Sequence, residues 1–97
     1  MSLDINLLKQ VTELAGAPGF ENRIRNFIQK EISDLCDEQY VDAIGNLIAV
    51  KKGKSDKKVM AAAHMDEISF IVSHVEAEDG FIRFLPLGGF DPKTLVA

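Results

Sequence analysis

The stretch VMAAAHMDEISF, residues 59–70, runs through small and apolar side chains into an imidazole and two carboxylates, then returns to apolar chain. A strand with one wet face alternates apolar and polar residues. Residues 59–63 are apolar at every position, which predicts an interior strand covered on both faces. Open α/β sheets hold their ligands beyond the carboxyl ends of such strands, and His64 and Asp66 fall there. In extended backbone residues i and i+2 share a face. The Asp66 carboxylate can therefore lie beside the His64 ring, hold the proton on one nitrogen and leave the other nitrogen's lone pair to a metal. The tripeptide alone reads more often as a hydrogen-bonded strand-end histidine followed by a turn carboxylate, so the surrounding chain has to decide.

Upstream, Ile5, Leu8, Val11 and Ala15 recur at helical spacing, with Leu7 and Leu14 widening the stripe. This predicts a helix over about residues 4–15, capped by Ser2 or Asp4. The break AGAPGFE, residues 15–21, holds two glycines and a proline. A second helical pattern follows from Glu21 through Ile24, Phe27, Ile28, Ile32 and Leu35, ending near Cys36. Beyond it the period shortens to β-like runs at residues 38–41, 46–51, 58–63, 69–75 and 81–87, separated by stretches rich in turn residues. The expected fold class is α/β: two N-terminal helices followed by about five strands, with the two helices covering the sheet. The chain shows no internal repeat, low-complexity tract or linker.

Composition narrows the function classes. The 97 residues carry a net charge of −4, and the lysine pairs Lys51-Lys52 and Lys57-Lys58 flank a Gly-Ser-Asp-bearing turn where solvated charge is the ordinary reading. A nucleic-acid partner is not expected. The one cysteine, Cys36, excludes an internal disulfide framework and a multi-cysteine zinc site. It is read as a reduced, inert thiol, in keeping with a cytoplasmic protein. No basic stretch leads into a long apolar run, and nothing approaches the roughly 20 apolar residues of a membrane span. Neither export nor a membrane is expected.

The segments APGFENRIRNFI, DAIGNLIAVKKG, VMAAAHMDEISFIV and GFIRFLPLGGFDPKTLVA, in that order, resemble the N-terminal part of the tetrahedral (TET) aminopeptidases, a dinuclear-metal family that includes glutamyl and deblocking aminopeptidases. The resemblance covers nearly all of the chain. It implies a zinc-peptidase catalytic domain, with a central sheet flanked by helices, interrupted after the His-x-Asp strand by a smaller β-rich domain that mediates assembly. On that reading residues 1–75 begin the catalytic domain and residues 76–97 form a hairpin leading into the inserted domain. The resemblance further implies that His64 is the first metal ligand and Asp66 the active-site aspartate that orients it. The remaining ligands and the glutamate general base are expected beyond Ala97, so the 97 residues alone are expected to be inactive and self-associating. Two divalent ions, zinc first with cobalt or manganese as alternatives, peptide substrates and a homo-oligomer complete the implied picture. Ser69 departs from the family, which usually has glycine after His-Met-Asp-Glu-Ile.

Other polar residues receive structural readings. Glu67 is at most a helper near the metal. Alternation places Phe70, Val72 and His74 on one strand face, making His74 a surface or interface histidine. Gly88 and Gly89, after Pro86, read as a turn, because no helix opening on Lys-Ser or Lys-Thr follows. Two rival functions remain: an endoglucanase-type hydrolase, a label sometimes given to this family, and a non-catalytic folding or interaction module. Glycoside hydrolysis needs facing carboxylates about 5–9.5 Å apart. Asp66 and Glu67 are adjacent and point to opposite sides of a strand.

Overall fold

A computed structural model of the chain describes residues 4–95. In chain order the elements are α1 (Ile5–Glu13), α2 (Asn22–Glu31), β1 (Glu38–Val41), β2 (Leu47–Val50), β3 (Ser69–Val75), β4 (Ile82–Leu87) and a 3₁₀ turn at Pro92–Leu95. The α/β class stands, with four strands in place of about five. The α1 helix opens where the Asp4 carboxylate accepts the Asn6 and Leu7 amides, each at 3.0 Å. These are donors that the first helical turn leaves without backbone partners. Ser2, the other cap candidate, lies outside the described residues. The chain leaves the helix at Leu14, whose backbone is extended.

The α2 helix stops at Glu31, short of the predicted Cys36, and the chain continues through turns closed by the Ser33 amide on the Lys30 carbonyl and the Leu35 amide on the Ile32 carbonyl. The Cys36 thiol donates to the Ile32 carbonyl at 3.3 Å, a use for the thiol within the helix end. Two contacts join α2 to the strands that follow: Gln39 Nε2 donates to the Gln29 carbonyl at 3.3 Å, and Arg25 Nη1 to the Gly45 carbonyl at 3.1 Å.

Strands β1 and β2 form an antiparallel hairpin in the register Glu38↔Val50 to Val41↔Leu47. Its turn is organised by one side chain. Asp42 Oδ1 accepts the Asn46 amide at 2.8 Å and the Ile44 amide at 3.1 Å, while Oδ2 accepts Asn46 Nδ2 at 2.8 Å. Gly45 closes the turn at φ +94°, a backbone state that glycine reaches without a Cβ penalty.

The second hairpin pairs β3 with β4 from Ser69↔Leu87 to Val75↔Ile82, so it runs across residues 75 and 76. A register shift between Val72 and His74 leaves Ser73 out of the ladder, and its hydroxyl donates to the Arg83 carbonyl at 3.1 Å. The bulge interrupts the simple alternation expected for this strand. His74 is exposed and lies 3.5 Å from Glu76, which also takes Arg83 Nε at 2.6 Å. Phe70 packs edge-on against Phe84 and Phe90, with ring centroids at 4.8 and 5.6 Å.

The predicted interior strand at residues 59–63 does not form. Residues 51–68 contain no strand, and Val59 and Met60 are 96% and 88% exposed. Its sequence has the burial pattern of a central strand, but a strand needs a neighbour to take its amides and carbonyls. A cavity of about 480 Å³ separates residues 59–63 from residues 46–49 of the first hairpin, and no ladder crosses it. The helices therefore cover no continuous sheet. Ile24 is the one buried apolar side chain among the described residues, at 3% exposure. The accessible surface is 8734 Å², against roughly 5,500 Å² for a folded monomer of this mass. The radius of gyration is 18.1 Å, against about 13 Å for a compact chain of this length.

The Asp42 turn carries a pH signature. Hydrogen bonds to its charged form, that of the Asn46 side chain first, hold the carboxyl below its ordinary value of 3.8. A carboxylate with a depressed folded-state pKa stabilises the fold fully above its unfolded value, and that contribution is lost as pH falls through the folded value. Asp42→Ala is expected to lower the thermal midpoint at pH 7, with the difference from wild type shrinking below about pH 4. Melting curves across pH 2–7 check this, and a pH-independent difference would be the contrary result.

Candidate active site

His64 and Asp66 lie in the irregular segment between the hairpins, and the i, i+2 spacing does bring their side chains together. His64 Nδ1 sits 2.9 Å from Asp66 Oδ1 and 3.0 Å from the Asp66 carbonyl oxygen. Both oxygens are acceptors, and a carbonyl has no proton to offer. Nδ1 must therefore carry the ring proton, and Nε2 is left with its lone pair when the ring is neutral. The imidazole is 85% exposed and the carboxylate 37%.

Two other parts of the chain face the pair. A cleft of about 310 Å³ is lined by His64, Met65 and Asp66 on one side and by Glu21, Ile44 and Asn46 on the other. Glu21 Oε1 accepts the Gly19 amide at 2.8 Å, holding the loop between α1 and α2 closed upon itself. Asn46 is fixed from both its amide and its side chain by Asp42. Sequence reading did not assign Glu21 or Asn46 to the site. Glu21 serves there as a helix opener and Asn46 as a strand start, and neither carries a local signal that it would face His64. Glu67 does not join the pair through its side chain. Its amide donates to the Gly16 carbonyl at 2.9 Å, which docks the segment on the α1–α2 loop.

A second cavity, about 440 Å³ and mainly apolar, opens beneath the same segment between Val11, Ile24, Ile28 and Leu47. The core under the site is thus unfilled. Among the described residues no group of three or more His, Cys, Asp or Glu converges tightly enough to hold an ion. The donor chemistry of the pair suits one metal ligand, since Asp66 engages Nδ1 and leaves Nε2 open. A catalytic zinc takes about three protein ligands, so His64 can supply one position of such a set. No helix among the described residues is long and apolar enough to cross a membrane.

Residues 45–97 match the family model of the M42 glutamyl aminopeptidases. The lysyl aminopeptidase of Pyrococcus furiosus is 43% identical over 96 residues, covering 98% of this chain and 27% of that protein. Among solved structures, an aminopeptidase of the archaeon Desulfurococcus kamchatkensis superposes with a TM-score of 0.82 at 37% identity, over 94% of this chain and 25% of that one. A Thermotoga maritima protein described as an endoglucanase superposes with a TM-score of 0.76 at 47% identity, over 89% of this chain and 28% of that one. The chain spans about a quarter of the length of these relatives.

The hydrogen-bond geometry makes a spectroscopic prediction. In a long-range ¹H–¹⁵N correlation spectrum of metal-free protein, neutral His64 is expected as the Nδ1–H tautomer. Asp66→Ala should move the population towards Nε2–H. A wild-type ring already in the Nε2–H form would contradict the pairing.

Proposed function

Because the chain belongs to the M42 glutamyl aminopeptidase family, we propose that the full-length protein carrying it is a metal-dependent aminopeptidase that removes N-terminal residues from short peptides. The observation that supports the reading within this chain is the 2.9 Å contact of His64 Nδ1 with the Asp66 carboxylate, which leaves the Nε2 lone pair uncommitted in the neutral ring. His64 is the residue assigned to a metal ion. Asp66 acts on it by holding the Nδ1 proton, which selects the ring tautomer and makes Nε2 a better donor. Two divalent ions, zinc first and cobalt or manganese as alternatives, supply the Lewis acidity that polarises an amide carbonyl and acidifies a water. The other ligands and the general base belong to the remainder of the protein. Glu21 and Asn46 line the cleft opposite His64, which supports a role for them in bordering a peptide.

The same reading assigns residues 1–75 to the catalytic domain and residues 76–97 to the start of an inserted β-rich assembly domain. It also assigns a homo-oligomeric state. The apolar side chains that β3 and β4 leave exposed, Val72 and Phe84 among them, support a contact surface there. An unpaired cysteine whose thiol is spent on a helix carbonyl supports a cytoplasmic setting. The endoglucanase description of one structural neighbour finds no support in the site. Asp66 is committed to His64, and its acidic neighbour Glu67 is adjacent in sequence, whereas glycoside hydrolysis needs two carboxyl groups facing each other across the scissile bond.

The test uses the full-length protein with chromogenic acidic, neutral and basic aminoacyl substrates, before and after chelation. Hydrolysis is expected to vanish with chelator and return with zinc, cobalt or manganese. Asp66→Asn is expected to lose about 10–100-fold in metal affinity or turnover. His64→Ala should lose more, together with one bound ion by elemental analysis. Full turnover by the His64 variant, or chelator-resistant hydrolysis of a β-glucan in place of peptides, would overturn the assignment.

A further inference from the structure

We propose that Gly16 is a positioning residue for the metal-binding pair: its missing side chain lets the α1–α2 loop seat the Met65 backbone at the distance that keeps the His64 ring on Asp66. The proposal rests on the reading of His64 as a metal ligand. Residues 53–68 belong to no strand, and the bond from the Glu67 amide to the Gly16 carbonyl, 2.9 Å, is the one backbone–backbone hydrogen bond this stretch makes among the described residues. That bond ends on Gly16, which is itself buried.

The approach is tight enough that an added side chain makes a neighbour give way. A Cβ built on Gly16 would lie 3.3 Å from the Met65 carbonyl oxygen and 3.1 Å from Ile24 Cγ2, with Ile24 Cβ at 3.6 Å. Gly16 is not among the glycines with positive φ, so its backbone is one that alanine adopts freely. Room, and not conformational freedom, is what the position requires. On one side stands Ile24, buried and β-branched within α2, whose single preferred helical rotamer keeps Cγ2 from swinging aside. On the other stands a carbonyl in an irregular segment with no ladder to resist a push. An added methyl therefore displaces Met65 by a few tenths of an ångström. Met65 sits between the two members of the pair. His64 Nδ1 reaches both the carboxylate and the carbonyl of Asp66, at 2.9 and 3.0 Å. A hydrogen bond weakens as it lengthens and bends, so a shift at Met65 is read directly at Nδ1.

The experiment compares Gly16→Ala with two further variants in the full-length protein. Glu67→Pro deletes the amide donor without adding bulk beside Ile24. Ile24→Val trims the same packing but leaves Cγ2 and the Met65 carbonyl in place. Two quantities are read: the His64 tautomer in metal-free protein by long-range ¹H–¹⁵N correlation, and the zinc dissociation constant by competition with a chromogenic chelator. Gly16→Ala and Glu67→Pro are expected to move His64 away from a pure Nδ1–H form and to weaken zinc about tenfold, the scale of losing an outer partner of a ligand histidine. Ile24→Val is expected to melt earlier with tautomer and zinc affinity unchanged.

Wild-type tautomer and zinc affinity in Gly16→Ala would overturn the proposal, as would its failure to fold, which would make the contact one of stability alone. If wild-type protein binds no zinc, the metal reading falls, and the metal-free tautomer still decides the role of Gly16.

Discussion

A backbone hydrogen bond from the Glu67 amide to the Gly16 carbonyl ties the chemistry-bearing segment to the helical part of the molecule. It matters because so little else does. A segment outside helices and ladders ordinarily satisfies its amides and carbonyls with water, and its position is then loosely determined. Here one amide is taken up by a loop carbonyl. That loop is itself closed, by the Glu21 carboxylate on the Gly19 amide, and rests on Ile24. The imidazole inherits a defined position from a short chain of contacts: Ile24 to Gly16, Gly16 to residues 65–67, and Asp66 to Nδ1.

The remaining architecture is open, and its surface shows by how much. An area of 8734 Å² for 10.7 kDa is far above what a closed globule presents. The excess is apolar where it counts. Val59 and Met60 project from an unpaired stretch, the faces of β3 and β4 expose Val72, Phe84 and Leu85, and a cavity lies between α1, α2 and β2. Exposed apolar side chains in such number are candidates for contact with other protein.

Elements governed by nearest neighbours were legible in the sequence. Asp4 announced the start of α1, the glycines and proline of residues 16–19 its end, and Asp42 with Gly45 the turn between β1 and β2; each is a side chain or a φ preference acting within a few residues. The His-x-Asp pair was legible for the same reason, because i, i+2 geometry is local. The strand at residues 59–63 was not, since its apolar run states what the segment would bury while saying nothing of whether a partner is present to pair with it. Glu21 and Asn46 were hidden for a related reason. Their approach to His64 is set by how two loops are held, by Arg25 on the Gly45 carbonyl and by Glu67 on Gly16, and neither contact follows from a periodicity. Ser73 shows the limit on a smaller scale: the alternation along β3 was readable, and the bulge that breaks it was not.

Exposure finally separates what the His64–Asp66 contact does from what it is worth. In a pair whose imidazole is 85% in water, the interaction of the two groups is screened, and exposed pairs contribute at most about 1 kcal/mol. Such a bond cannot by itself hold a ring against competing rotamers of a free side chain. It can select between two tautomers, because only Nδ1–H can meet two acceptor oxygens at once. Orientation must then come from the backbone, and the backbone there is held through Gly16. A small change in packing at Gly16 therefore reaches an imidazole that it never touches.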